Sequence, residues 1–129
     1  MKMLYAPAKG TILICNYKNL IAPEMDKLRP VIMISSVSPK LAIVVPLSTA
    51  RPNRDMPWHY RLTLQEPITD YFSKLECWAK CDMVMAVSFD RLSLPMSGID
   101  HGKRQYKTLK ISDADLESIK AAVWRAMSS

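Results

Sequence analysis

The sequence predicts a mainly β fold, a small barrel of about six strands closed by a C-terminal helix. Three observations predict it. Two near-continuous apolar runs, RPVIMISS (29–36) and LAIVVPLST (41–49), are separated only by VSPK, which supplies the turn residues of a hairpin. Their lack of polar alternation suggests strands covered on both faces, as in a small closed barrel. At 129 residues the chain fits one domain spanning 1–129, long enough to bury roughly 65–70% of its unfolded surface without staples.

Taken in order, Gly10 opens GTILICNYKNL, in which Ile12, Ile14 and Asn16 alternate with Leu13, Cys15 and Tyr17, and this reads as a first strand. Residues 18–28 lack a clean period, contain Pro23 and read as a loop. After the hairpin, ARPNRDMP (50–57) is a polar loop and WHYRLTL (58–64) an alternating strand. EPITDYFSKLE (66–76) reads either as a loop or as a short helix. CWAKCDMVMAVSFDRL (77–92) gives one or two further strands, SLPMSGIDHGK (93–103) a loop, and YKTLKI (106–111) a last short strand. Ser112 then suits a helix N-cap, with Asp113 and Asp115 favourable to the macrodipole in the first turn. Leu116, Ile119, Ala122, Val123 and Met127 share one face of that helix. No repeat or low-complexity stretch interrupts the chain.

Composition narrows the function classes. Apolar residues make up 49% and charged residues 23%, which fits neither a disordered tail nor a disulfide scaffold. No apolar stretch of signal-peptide length follows Lys2, and the longest apolar runs are far short of a membrane span, so a soluble cytoplasmic protein is expected. Cys15, Cys77 and Cys81 suit a reducing compartment. Cys77 and Cys81, four apart in a strand, would stand about 13 Å apart, too far for a disulfide. With only two histidines, no zinc-ligand set completes itself, and no metal is expected. No glycine-rich phosphate loop, HExxH, CxxC or GxSxG is present, and no cofactor is expected.

The net charge of +6 points toward a polyanion, or serves solubility alone. Position says more than sum. Lys27, Arg29, Arg51, Arg54, Arg61, Lys80 and Arg91 all fall at strand ends or in loops, where a nucleic-acid binder carries its phosphate contacts. Lys27 and Arg29 stand at the mouth of the first apolar run. In an antiparallel hairpin the start of RPVIMIS lies near the end of LAIVVPLST, which brings Arg29 within reach of the Ser48 and Thr49 hydroxyls. A forked cation with two hydroxyls cradles a phosphate. Alternatively, Ser48 and Thr49 bond their own backbone as the strand ends. Lys80 and Asp82 flank Cys81; Asp82 is either a base or a carboxylate capping backbone amides. His59 is either a general base or a strand-rim histidine. Trp58 either stacks on bases or plugs the barrel core, and Tyr60 is a second stacking candidate.

GTILICNY, PEMDKLRPVIMIS, IVVPLST and WAKCDMV, in that order and spacing, resemble the signature blocks of the MazF/PemK/Kid toxins of bacterial toxin–antitoxin modules, over roughly residues 9–92. The C-terminal helix also sits where that family has one. The resemblance implies an SH3-like barrel of the CcdB/PemK type with added helices, working as a homodimer. It implies a metal-independent endoribonuclease that cuts single-stranded mRNA, inhibits translation and growth, and is neutralised by a cognate antitoxin. By resemblance Arg29 matches the catalytic arginine, Ser48 falls where a catalytic or phosphate-contacting threonine is usual, and Lys80 and Asp82 fall where one branch has an arginine and an aspartate proposed as acid and base. Lys27, Thr49, Arg51, Arg54 and His59 would then contact RNA. Pro23 stands where one branch has a histidine, and Met83 and Met85 replace the usual glutamine and arginine. Two rival readings follow: a gyrase-type poison of the same fold that binds a protein, and a degenerate member retained as a nucleic-acid-binding module. Arg29 with Ser48 argues against the first; the two methionines argue for the second.

Overall fold

The computed structural model describes residues 6–129. The first strand, β1 (Thr11–Asn16), leads through the 18–27 loop into β2 (Leu28–Ser38), which turns at Pro39–Lys40 into β3 (Leu41–Ser48). A long polar loop precedes β4 (His59–Thr63), and irregular chain then reaches β5 (Glu76–Lys80). A 3₁₀ turn, Cys81–Met83, separates β5 from β6 (Met85–Ser88), and a second one, Phe89–Arg91, precedes β7 (Leu92–Ser93). The hairpin β8 (Met96–Asp100) and β9 (Lys103–Tyr106) follows, then β10 (Leu109–Lys110) and the helix α1 (Asp113–Met127).

The mainly β architecture with a closing helix is the one the sequence predicts. The wall of the molecule is the antiparallel trio β1–β2–β3, and each of its outer strands has two further partners besides β2. β10 pairs with Thr11 and Ile12 and β7 with Ile14 and Cys15, so the β1 edge is shared end to end. On the far side, β6 takes Leu41–Val44 and β5 takes Leu47–Ser48, with β4 beyond β5. The sheet therefore forks at β3 and does not close into a ring.

Near-continuous apolar sequence in the wall is explained by its two cores. Ile12, Ile14, Ile32, Val45 and Leu47 point to one face, where Leu116, Ile119, Ala122 and Val123 of α1 cover them. Leu13, Cys15, Val31, Met33 and Val44 point to the other, under Tyr17, Val87, Phe89 and Leu92. Alternation persists, but both faces are apolar.

Several local expectations are corrected. Residues 93–103 are not a plain loop, since β8 begins at Met96 and pairs with β9 in a separate two-stranded sheet. Both central turn residues, His101 (φ 50°) and Gly102 (φ 76°), lie in the left-handed region, as a type I′ hairpin turn requires. The last strand shrinks to Leu109–Lys110, because Tyr106 belongs to β9. Residues 66–75 form turns and bends with no helix. Cys77 and Cys81 do not share a strand, because the 3₁₀ turn begins at Cys81; both thiols are free. In α1, Ser112 accepts the Asp115 N–H as predicted, whereas Met127, the last residue of the helix, is exposed.

Candidate functional site

The site begins where the second core runs out. Along that face of β2 and β3, Val31, Met33, Val44 and Pro46 are buried, and the next positions outward on the same face are Arg29 and Ser48. Register decides their pairing. Beside the turn Ser38 faces Leu41, and that count alone would set Arg29 against Ala50. Two irregularities, between Met33 and Ser35 and between Ser35 and Ser38, each shift the ladder by one residue. Beyond them Val31 faces Pro46, and the same register carried outward sets Arg29 opposite Ser48. Two shifts rather than one also keep Arg29 on the correct face of the strand.

Neighbouring strands extend this row. Cys15 pairs with Arg29 on one side, Ser48 pairs with Trp78 on the other, and Trp78 pairs with Arg61. One step along the same face, Lys80 pairs with His59. One surface of rigid strand thus presents Arg29, Ser48, Trp78 and Arg61 in file, with Lys80 and His59 beside them.

Arg29 is half-buried, and its Nε is enclosed with no hydrogen-bond partner among the described residues. Ser48 is 9% exposed, and its Oγ accepts the Ala50 N–H and donates to the Ala50 carbonyl, each at 3.2 Å. The backbone-bonding alternative for Ser48 is therefore what the free protein adopts. Thr49 follows, half-buried, at the strand end. His59 Nδ1 lies 3.2 Å from the Arg54 carbonyl oxygen. A carbonyl only accepts, so Nδ1 carries a proton and donates it to that oxygen. With Arg51, Arg61 and Trp78, His59 lines a basin of about 300 Å³. Within it Arg51 pairs with Asp55 at 3.6 Å and Arg61 with Glu76 at 2.8 Å.

Lys80 is half-buried at the end of β5, and Asp82 is exposed in the 3₁₀ turn after it. Asp82 lines a different cavity, about 420 Å³, together with Tyr17 and the 23–25 and 83–85 segments. Lys27 is exposed, while its carbonyl accepts the Tyr17 N–H at 3.4 Å and continues the β1–β2 ladder. Arg91, counted among the basic loop residues, is instead a strut. Its Nη1 donates to the Asn16 and Lys18 carbonyls, both at 2.9 Å, and ties down the start of the 18–27 loop.

Sequence reasoning missed Trp78 as a member of this surface. The alternation of ECWAK does put Trp78 and Lys80 on one face, but only the β3–β5 pairing shows which one. The cysteines offer no nucleophile. Burial pushes the Cys15 thiol up to about 11 against the pull of the Arg91 charge. Burial and the neighbouring Glu76 push Cys77 to about 11, and burial and Asp82 push Cys81 to about 12. At neutral pH all three are inert thiols. Among the described residues no three His, Cys, Asp or Glu side chains gather to hold a metal ion, and no helix is long and apolar enough to cross a membrane.

Residues 8–126 match the family of PemK-like, MazF-like toxins of type II toxin–antitoxin systems. The Escherichia coli (strain K12) protein YifN is 29% identical over 113 residues, spanning 72% of this chain and 76% of YifN. Among solved structures, an endoribonuclease from a mycobacterial species in complex with its cognate antitoxin superposes with a TM-score of 0.62 at 16% identity, over 95% of this chain and 96% of the other. The Mycobacterium tuberculosis toxin MazF-mt6 superposes with a TM-score of 0.58 at 13% identity, over 91% and 95% of the two chains.

Proposed function

This chain belongs to the PemK-like, MazF-like toxins of type II toxin–antitoxin systems, and from that premise we propose that it is a metal-independent endoribonuclease cutting single-stranded mRNA. The observation that carries the reading is the file of Arg29, Ser48, Trp78 and Arg61 on one strand face, with Lys80 and His59 beside it. Cations, a hydroxyl and an aromatic on a single rigid surface suit a phosphodiester with an unstacked base.

The chemistry needs no protein nucleophile. A ribose 2′-hydroxyl sits beside its own phosphate, and aligning it with the departing 5′-oxygen captures much of the proximity advantage. Asp82 takes the 2′-hydroxyl proton as the oxygen attacks phosphorus. The P–O5′ bond breaks, and Lys80 returns a proton to the leaving oxygen. The products are a 2′,3′-cyclic phosphate and a 5′-hydroxyl. Arg29 stabilises the charge on the non-bridging oxygens, a role that suits a group always ionised and forked in a plane. Ser48 exchanges its Ala50 bonds for a phosphate oxygen. Lys27, Thr49, Arg51, Arg54 and His59 hold the backbone on either side.

A cognate antitoxin as partner is supported by the mycobacterial structure of similar fold, which contains one. Exposed apolar residues, Tyr71 and Trp124 among them, provide surface for that antitoxin and for a homodimer. A cytoplasmic site of action fits the messenger substrate and the free thiols. The test is digestion of a long single-stranded RNA in EDTA. Wild type should give discrete fragments ending in 2′,3′-cyclic phosphate, and Arg29→Ala should cut about 10²–10³-fold more slowly. Undiminished cleavage by Arg29→Ala would remove Arg29 from the centre. RNA bound but left intact would favour the degenerate module, and neither binding nor cutting a protein poison.

A further inference from the structure

The file that begins at Arg29 ends in the basin of about 300 Å³. Arg29, Ser48, Trp78 and Arg61 stand on four neighbouring strands, so three interstrand steps, about 14 Å, separate Arg29 from Arg61. A stacked strand rises ~3.4 Å per nucleotide and a splayed one rises more, so about two to four nucleotides cover that distance. A polynucleotide held at Arg29 and running across the strands reaches the basin. A mononucleotide does not.

The walls of the basin suit a nucleotide. Trp78, half-buried on β5, supplies an aromatic ring, and Arg61 on β4 and Arg51 in the 50–57 loop supply two cations. The loop is clipped to the start of β4, because the His59 N–H donates to the Met56 carbonyl at 3.0 Å and the His59 ring to that of Arg54 at 3.2 Å.

As it stands, however, the basin is neutral. Arg61 Nη2 donates to Glu76 Oε2 at 2.8 Å, and Arg51 lies 3.6 Å from Asp55. Two cations thus meet two carboxylates, in a chain where 18 basic residues outnumber 12 acidic ones. Both pairs are exposed and water screens them, so they hold weakly. A guanidinium grips a phosphate with the same planar fork that grips a carboxylate. Glu76 therefore occupies Arg61 as a phosphate would. It sits two residues from Trp78 on the same face of β5, so once displaced it still opposes an incoming anion.

We propose that the basin is a second nucleotide subsite for single-stranded RNA, with a base on Trp78 and a phosphate on Arg61, and that Glu76 masks Arg61 until the RNA displaces it. The substrate class rests on the endoribonuclease reading of the adjoining site.

The test is fluorescence anisotropy with a labelled 2′-O-methyl RNA octamer, which lacks the attacking hydroxyl and stays intact. Glu76→Gln should bind it about 2- to 5-fold more tightly than wild type, the worth of one exposed ion pair. Arg61→Ala should weaken binding about 10-fold. In the Arg61→Ala background Glu76→Gln should change nothing, because the group it unmasks is gone. Both side chains are exposed, so these substitutions leave the core intact. Trp78→Leu, an apolar replacement without a π face, should weaken binding about 10-fold, and Trp78→Phe about 2-fold. Equal tightening by Glu76→Gln with and without Arg61 would be an effect of overall charge and overturns the mask. Binding indifferent to Arg61→Ala or to Trp78→Leu overturns the subsite, as does an octamer that does not bind. Cleavage of unmodified RNA decides the nuclease separately: an octamer that responds as expected beside RNA left uncut supports the subsite and removes the nuclease.

Discussion

The β2–β3 and β8–β9 hairpins reverse the chain through the same two-residue loop, at Pro39–Lys40 and at His101–Gly102, yet they are different kinds of object. In the first, Val31, Ile32, Val44 and Val45 are fully buried, because one core lies in front of the sheet and another behind. In the second, Met96 is 41% and Ile99 68% exposed, and among the described residues the two strands pair with no other strand. The buried hairpin carries Arg29 and Ser48 at its open end, where its backbone cannot yield. The lesson is that chemistry sits on the hairpin whose strands have no freedom, and the loosely held hairpin is available for contacts that need give.

The contrast breaks most visibly in the wall. Ile32→Ala should cost about 2–5 kcal/mol, since it opens a void between β2 and α1 that close-packed neighbours cannot fill. Urea unfolding checks it. Ile99→Ala, the same kind of truncation on β9's partner strand, should stay within about 0.5 kcal/mol. A loss of comparable size at Ile99 would mean that β8–β9 is covered in solution.

The same contrast explains what was legible. The wall strands announced themselves because burial on both faces leaves unbroken apolar runs, and α1 did so through Ser112 and its two aspartates. The hairpin β8–β9 did not, because an exposed strand is under no pressure to alternate; MSGID carries no period. The only local trace of it was Gly102, in the turn. At the site, Arg29 and Ser48 were legible as two ends of one hairpin. Their alignment was not, since it depends on two bulges in β2 that no local pattern reveals. Trp78 was missed for a related reason. It joins the surface through a pairing between distant segments, and sequence spacing is silent on such pairings.

A smaller and more selective lever is alkali. Cys15, Cys77 and Cys81 all lie in or against the main sheet, and none lies in β8–β9. Folding raises their thiols to about 11, 11 and 12, so the neutral form is the one the fold prefers. The unfolded chain ionises near pH 9 while the native thiols stay protonated. Their stabilisation is therefore complete below about pH 8 and lost as pH rises from about 9 toward 11 for Cys15 and Cys77 and toward 12 for Cys81, on the order of 3 kcal/mol for each of the first two and 4 kcal/mol for the third. Urea midpoints at pH 7, 9 and 10.5 should fall in that order, and Cys77→Ala should flatten the decline. A midpoint independent of pH would show the thiols to be in contact with water.

The finest test lies in the turn of the weaker hairpin. Gly102 has a φ of 76° with nothing within 4 Å of where a Cβ would stand. Gly102→Ala therefore suffers no clash and reports backbone strain alone, about 1 kcal/mol. His101 has a φ of 50° and carries a branched ring into the same left-handed region. Asparagine tolerates that region better, and Asn–Gly is the favoured type I′ pair. His101→Asn should thus slow amide exchange in β8 and β9 by the equivalent of a few tenths of a kcal/mol. Exchange in β2 and β3 should not change, because the two hairpins share no hydrogen bonds. Should the wall respond as well, the hairpins open together, and the freedom assigned to β8–β9 would belong to the whole sheet.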